Sequence, residues 1–258
     1  MNHRPPAFTL RIAQTADDLR AAQRLRYAVF VSELGGDGPL VDHENRLEKD
    51  RFDAHATHLL LCDTQRPDGD QVVGVYRLMT ESAAAAAGQF YCEDEYDLTM
   101  LRQSGMRLLE LGRSCLHPNY RGGTAMLHLW SALADFVNRE RIELIFGVAS
   151  FAGTDLNTLA GPLALLHDRH LAPPDFRVTA RGAGAAPMDR MPADQIDRVA
   201  ALRDTPALIK AYLRLGGVVG EGAFVDHAFN TTDVCLILAT DAISALQRSI
   251  YARGQGLG

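Results

Sequence analysis

The sequence has few cysteines, and no motif brings them together. It contains four cysteines among 258 residues, and no two of them form a C-x-x-C pair: they are Cys62, Cys92, Cys115 and Cys235. Such wide spacing is not typical of a zinc site or of a disulfide framework. We therefore expect buried, reduced thiols in a cytoplasmic protein, and no bound metal.

Excess positive charge and long apolar runs are also lacking. Asp and Glu outnumber Lys and Arg by 32 to 26, for a net charge of −6, which argues against nucleic acid as the main partner. No apolar stretch reaches the roughly 18 residues of a membrane-spanning helix, and the first ten residues lack the apolar core of a signal peptide. Any membrane contact is expected to be peripheral, at the inner face.

What is present is typical of a globular enzyme-sized protein. The sequence is 47% hydrophobic and 22% charged, so a chain of this length can bury a sizeable core. We expect one domain over residues 1–258, in which residues 172–195, rich in proline and glycine, form an irregular segment.

One stretch combines buried charge with a strand-turn-helix pattern. The apolar run 108–116 predicts an interior strand, and Glu110 and Arg113 interrupt it, so both need partners. Residues 117–120 contain a proline and predict the end of the strand, whereas residues 121–123 predict the start of a helix. Unpaired N–H groups at a helix start beside glycines can hold a phosphate.

The rest of the chain alternates between predicted strands and helices, with a charged loop over residues 35–51. The predicted strands cover residues 8–12, 58–62, 71–79, 144–149 and 234–239. The turn-rich segment 65–70 joins the second and third of them and predicts a hairpin. Four further helices are predicted. The first is capped by Thr15 or Asp17 and runs to residue 33, and the second opens at Asp155 and runs through residue 166. The other two cover residues 206–215 and 242–251. This order predicts an α/β sandwich with a mixed sheet.

Several separated segments resemble a known superfamily. Four of them, in content and order, are similar to the acyl-homoserine-lactone synthase branch of the Gcn5-related N-acyltransferases: LRYAVFVSELGG (25–36), KDRFDAHATHLLL (49–61), VVGVYRLM (72–79) and ELGRSCLHPNYRGG (110–123). The segment from 206 to 238 resembles instead the bacterial ornithine N-acyltransferases that make lyso-ornithine lipid, and their hemolysin-like relatives.

The resemblance implies the Gcn5-related N-acyltransferase fold, an α/β fold whose central mixed sheet is splayed open at one strand and flanked by helices. The pantetheine arm of a thioester donor would pair with the exposed strand edge. The implied donor-binding residues are Ser114, Cys115 and Leu116 on the strand and Arg121, Gly122, Gly123 and Thr124 at the elbow. Thr124 stands where the superfamily usually has glycine, and its Cβ crowds a pyrophosphate. This departure favours acyl carrier protein over coenzyme A as donor, with no further cofactor.

The resemblance also implies residues that bind the amino-acid acceptor. These are Arg26, Phe30, Asp50, Asp53, Arg77 and Arg113. Each charged one has a structural alternative: Arg26 can lie on the helix surface, the aspartates can belong to a solvated charge run, and the two strand arginines can pair with Glu110 or with the aspartates.

The implied reaction needs a neutral amine and therefore a base, because free amines are mostly protonated at neutral pH. Glu110 is the candidate, since a carboxylate in an apolar strand takes up a proton more readily than one in water. Its alternative is an inert pair with Arg113. No Ser-His-Asp or Cys-His arrangement is evident, so we expect the amine to attack the thioester directly.

Three functions remain open at this point. The first is transfer of a 3-hydroxy fatty acyl group from acyl carrier protein to the α-amine of ornithine, giving lyso-ornithine lipid. The second is acyl-homoserine-lactone synthesis from S-adenosylmethionine. It is disfavoured because such synthases usually carry a tryptophan after the first helix, and Trp130 lies elsewhere. The third is a non-enzymatic, hemolysin-like binding protein.

Overall fold

The computed structural model describes residues 5–243. They cluster into two compact units, the first comprising residues 5–79 and 111–140 and the second residues 80–110 and 141–243. The single domain expected over residues 1–258 stays a prediction beside this division. Among the described residues, no helix is both long and apolar enough to cross a membrane.

The strands of the described chain are short at the ends of the sheet and longest in its middle. They are β1 (Phe8–Ile12), β2 (Thr57–Asp63), β3 (Val72–Thr80), β4 (Tyr96–Asp97), β5 (Leu108–Leu116), β6 (Leu144–Ala152), β7 (Thr179–Ala180), β8 (Ala185–Ala186), β9 (Val218–Val219), β10 (Ala223–Asp226) and β11 (Thr231–Ala239).

The helices alternate with these strands. The α-helices are α1 (Ala16–Arg26), α2 (Glu81–Ala87), α3 (Thr99–Gln103), α4 (Ala125–Glu140), α5 (Ala160–His170), α6 (Arg198–Asp204) and α7 (Ala207–Arg214). A π-helix (Tyr27–Glu33) continues α1, and short 3₁₀ turns cover Tyr91–Asp94, Pro118–Tyr120, Pro174–Phe176, Ala193–Gln195 and Thr240–Ala242.

The first unit contains the predicted hairpin. β2 pairs antiparallel with β1 on one side and β3 on the other, with a bulge at Leu61 and Cys62, and β5 lies next to β3. Helix α1 buries Ala22 and Leu25 in an apolar cluster with side chains of β2, β3 and β5, among them Cys115. The hairpin expected from the two alternating segments is therefore confirmed.

The second unit contains both kinds of strand pairing. Only Leu108–Glu110, the first three residues of β5, are in register with β6, and this pairing is parallel. β6 then pairs antiparallel with β11 along its whole length, and β11 continues to β10 and β8. The sheet is thus mixed, as expected, and the parallel pairing of β5 with β6 covers three residues.

The bounds of α1 and α4 differ in detail from those predicted from the sequence. Thr15 and Asp18 form a capping box at the start of α1, and the predicted helix does reach residue 33, although its last seven residues are π-helical. Helix α4 begins at Ala125 and not at residues 121–123, because Arg121 is extended and Gly122 has a φ of 75°.

The prediction that a helix begins at Asp155 is wrong about its first residue. Residues 156–159 form turns, and Asp155 accepts a hydrogen bond from the N–H of Asn157. Helix α5 begins at Ala160, because Pro162 lacks the N–H that a longer helix would need but is tolerated in a first turn. Residues 82–87 are helical, as part of α2. The helix predicted for residues 242–251 lies largely outside the described residues.

Candidate functional site

Three arginines and three carboxylates of the first unit form a closed ring of ion pairs. Each arginine bridges two carboxylates and each carboxylate bridges two arginines, in the order Glu48, Arg26, Asp53, Arg77, Asp50, Arg113 and back to Glu48. Five of the six were predicted from the sequence as acceptor-binding residues. We call this set the charge ring.

The contacts of the charge ring are short. Arg26 donates through Nε to Glu48 and through Nη1 to Asp53 at 2.7 Å. Arg77 Nη1 lies 2.5 Å from Asp50 and 3.3 Å from Asp53. Arg113 lies 3.0 Å from Asp50 and 3.1 Å from Glu48. Because the charges balance, the ring is neutral as a whole.

Each member is held by the element that carries it. Arg26 ends α1, Arg77 lies in β3, and Arg113 lies in β5 with a left-handed φ of 51°. This conformation is unusual for a residue other than glycine and interrupts the alternation of the strand. Glu48 and Asp50 belong to the charged loop, and Asp53 follows it two residues later, where Gln23 of α1 donates to it at 2.9 Å.

The arginines keep the ring carboxylates ionised in spite of their burial. Although burial opposes ionisation, the nearby arginines hold the pKa of each carboxyl, Glu48, Asp50 and Asp53, below its ordinary value. These carboxylates are therefore poor proton acceptors at neutral pH. Burial also lowers the pKa of His58, whose Nε2 donates to the carbonyl of Asp53 at 3.0 Å.

The ring decides between the alternatives for its charged residues. Arg26 is fully buried, so the surface alternative is wrong for it, whereas pairing of Arg77 and Arg113 with the aspartates is confirmed. Asp50 and Arg113 are the most exposed members, at 17% and 11% of their side-chain surface. The predicted roles of these residues in acceptor binding stay predictions.

Two features near the ring were not evident from the sequence. Glu48 is only 1% exposed, yet in the sequence it is one acidic residue in a charge run, and no spacing separated it from its neighbours. Nη2 of Arg26 is buried and has no hydrogen-bond partner among the described residues. Phe30, predicted to bind the acceptor, is partly buried against the apolar cluster beneath α1.

Glu110 lies in the second unit and is 3% exposed. Its two oxygens accept hydrogen bonds from the backbone N–H groups of Tyr91, at 2.8 Å, and Cys92, at 2.6 Å. These groups begin the 3₁₀ turn Tyr91–Asp94, so Glu110 caps that turn from a neighbouring strand. The role as base and the alternative of an inert pair with Arg113 both stay predictions.

The strand residues predicted to bind the donor differ in exposure. Ser114 is partly exposed, whereas Cys115 and Leu116 are buried. Burial raises the pKa of the Cys115 thiol to about 12, so this thiol is not a nucleophile at neutral pH. That agrees with direct attack by the amine.

The glycine elbow after β5 is exposed along its whole length, from Arg121 through Gly122 and Gly123 to Thr124. Arg121 donates from Nε to the carbonyl of Leu116 at 3.2 Å. Its other two nitrogens donate to both oxygens of Glu33, at 2.6 and 2.7 Å. The arginine of the elbow, Arg121, is therefore already paired with a carboxylate, that of Glu33.

A second carboxylate group could hold a cation. Glu95, Asp226 and Asp233 in the second unit each place an oxygen within 4.8 Å of the others, and oxygen ligands suit hard cations. Acidic side chains also group in this way without an ion. The absence of a metal stays a prediction.

The chain is similar to a known domain family and to a solved structure. The family model described as "Acetyltransferase (GNAT) domain" matches residues 25–131. A solved CoA-dependent acyl-homoserine lactone synthase superposes with a TM-score of 0.55 at 15% identity, covering 97% of this chain and 90% of that chain. At this identity the likeness concerns the fold alone. The matched domain and the fold are those of the GNAT superfamily.

Two curated relatives cover nearly the whole chain. An L-ornithine N(alpha)-acyltransferase of Rhodobacter capsulatus is 58% identical over 251 residues, which is 96% of each chain. One of Brucella abortus is 40% identical over 249 residues, covering 95% of this chain and 89% of the relative. The chain belongs to the L-ornithine N(alpha)-acyltransferase family. The non-enzymatic alternative is therefore set aside.

Proposed function

We propose that this protein transfers a 3-hydroxy fatty acyl group from acyl carrier protein to the α-amine of ornithine, giving lyso-ornithine lipid. The observation that carries the proposal is the 58% identity, along 96% of both chains, to a relative named for acylation of this amine. The carrier as donor rests on Thr124, whose Cβ narrows the elbow where a pyrophosphate would approach.

The charge ring is the proposed place for the acceptor. A zwitterionic amino acid needs both a cation and anions, and the ring presents them side by side in one neutral set. Arg113, at 11% exposure, is the ring arginine most open to the acceptor's carboxylate. Asp50, at 17% exposure, is the ring carboxylate most open to an ammonium group.

The proposed chemistry is direct aminolysis of the thioester. The neutral α-amine attacks the carbonyl carbon, the tetrahedral intermediate collapses, and the C–S bond breaks to release the pantetheine thiol. The amine loses one proton in this sequence, and Glu110 is the proposed acceptor of it. Cys115 takes no part, because burial holds the pKa of its thiol at about 12.

The test is acyl transfer with purified components. We expect 3-hydroxyacyl carrier protein and ornithine to give N-acylornithine by mass spectrometry, together with one free carrier thiol per product. Ornithine blocked at its side-chain amine should react, and ornithine blocked at the α-amine should not. Parallel reactions replace ornithine with S-adenosylmethionine, or the carrier with the matching acyl-coenzyme A.

The outcomes separate the alternatives. An acyl-homoserine lactone from the S-adenosylmethionine reaction, with no acylornithine, would overturn the proposed acceptor. Faster reaction with acyl-coenzyme A than with the carrier would overturn the proposed donor and leave the proposed acceptor unaffected.

The variant Asp50→Asn tests the proposed role of the charge ring. It should raise KM for ornithine by about tenfold and KM for the carrier far less.

A further inference from the structure

The ion pair between Glu33 and Arg121 lies at the glycine elbow, the place where a phosphate group would bind. Both oxygens of Glu33 and both terminal nitrogens of Arg121 take part, at 2.6 and 2.7 Å, and Nε of Arg121 is bound to the carbonyl of Leu116. The orientation of the Arg121 guanidinium is therefore fixed on one side by the carbonyl of Leu116, at the end of β5, and on the other side by the carboxylate of Glu33.

The position of Glu33 is not explained by local helix stability. It is the last residue of the π-helix Tyr27–Glu33, and a negative charge in the last turn of a helix opposes the helix dipole. Its pKa is lowered by the hydrogen bonds with Arg121, so it is ionised at neutral pH. An exposed pair of this kind contributes little to stability, which leaves the elbow as the place where its charge matters.

We propose that Glu33 is a specificity-determining residue that selects carrier-bound donors over acyl-coenzyme A. This inference rests on the proposed donor site at the elbow. Carrier-bound phosphopantetheine brings one phosphodiester. This single group needs only one contact, either with Arg121 or with the N–H groups in the first turn of α4. Coenzyme A brings a pyrophosphate and a further phosphate, so a carboxylate fixed on Arg121 repels it more strongly.

Thr124 and Glu33 then act in the same direction by different means. The Cβ of Thr124 limits the space for a second phosphate, whereas Glu33 withdraws the positive charge that a second phosphate would need. A discrimination built from both a steric and a repulsive element is typical of specific sites. Charge repulsion predicts a measurable salt dependence that the steric element alone does not.

The test replaces the charge and keeps the shape. In Glu33→Gln, we expect the Kd for coenzyme A, measured by calorimetry without any acceptor, to fall by about tenfold at low salt. We expect the preference for acyl carrier protein over acyl-coenzyme A, as a ratio of kcat/KM values, to fall by a similar factor. The difference between this variant and the parent should shrink as salt is raised, because exposed charges are screened beyond about 10 Å at 0.1 M.

The matched control is Glu44→Gln, which removes the same charge from an exposed residue of the charged loop. It should change neither Kd nor the preference. An unchanged Kd for coenzyme A in Glu33→Gln, or an equal gain with both donors, would overturn the inference. If no donor acylates ornithine, the proposed function fails, yet the calorimetric comparison still reads the role of Glu33.

Discussion

The buried side chain of Arg26 requires carboxylate partners for the protein to be stable. Its side chain is fully buried, and a buried guanidinium without carboxylate partners costs several kcal/mol. Glu48 and Asp53 supply those partners. The same contacts that could orient an acceptor therefore also hold the charged loop on α1.

Asp53→Asn is expected to destabilise the fold strongly. The change leaves Arg26 and Arg77 with one ring carboxylate fewer, in a place where Asp53 is only 4% exposed. Removing one partner of a buried pair costs about 3–5 kcal/mol. Urea denaturation followed by circular dichroism, at neutral pH, measures the loss directly.

The comparison for this variant is Asp50→Asn. Asp50 also bridges two arginines, but it is 17% exposed, so water replaces part of what is lost. We expect a smaller loss of stability than for Asp53→Asn. Equal stabilities of Asp53→Asn and the parent would mean that the ring is not a structural requirement, and would strengthen a role in binding alone.

The 3₁₀ turn Tyr91–Asp94 is an element whose start is built by two glutamates. Glu110 accepts from the N–H groups of Tyr91 and Cys92, and Glu93 accepts from that of Phe90. A strand residue and a turn residue thus share the capping of one short element. The sequence showed the apolar strand around Glu110, but not which N–H groups it would meet, because that depends on tertiary contacts.

Glu110→Gln is predicted to lower kcat by about a hundredfold, the usual contribution of a positioned base. It should also cost about 1–3 kcal/mol of stability, because an amide NH₂ then faces a backbone N–H that has lost its acceptor. Turnover with acyl carrier protein and ornithine, and the free energy of unfolding, are measured on the same preparation.

Glu93→Gln separates the two effects. It disturbs the same turn and the ion pair with Arg102, but it removes no proposed base. We expect a loss of stability with kcat nearly retained. A proportional fall of kcat in both variants would assign the effect of Glu110 to the turn and remove it from the proposed mechanism.

Elements with strong local signals were predicted well, and those without were not. The hairpin β2–β3 and the capped start of α1 follow from alternation and from Thr15. The π-helical continuation of α1 and the left-handed Arg113 have no such signal. They depend on packing and on the partners that Arg113 reaches, which lie 63 and 65 residues away in the sequence.

At the scale of the whole molecule, the superfamily and the mixed sheet could be predicted from the order of motifs. The closure of the charge ring could not. The resemblance indicated five members one at a time, but their pairing needs α1, β3, β5 and the charged loop to meet. A long loop with no periodicity carries no information about which of its carboxylates is buried, and Glu48 was missed for that reason.

The ring should make global stability depend on pH below neutrality. Glu48, Asp50 and Asp53 have ordinary values of 4.5 and 3.8, and in the folded protein the pKa of each is lowered. On acidification the unfolded chain therefore takes up protons first, and the free energy of unfolding falls with pH. The stabilisation is complete above about pH 5 and is lost as pH falls through the folded values.

His58 adds an earlier and shallower step. Burial lowers its pKa from 6.5 in the folded protein, so the unfolded chain binds this proton first as pH falls below about 6.5. Urea denaturation at several pH values between about 7.5 and 3.5 should show a gentle decline and then a steep one. The slope changes by about 1.4 kcal/mol per pH unit for each proton that only the unfolded chain binds.

The variant His58→Gln assigns the first step. It should flatten the profile between about pH 6.5 and 5 and leave the steep acid limb, because the ring carboxylates that cause that limb are intact. Asp53→Asn should do the reverse, with lower stability at neutral pH and a shallower acid limb. A parent protein equally stable at about pH 7 and pH 4 would contradict the inference that the ring carboxylates are held ionised by their arginines.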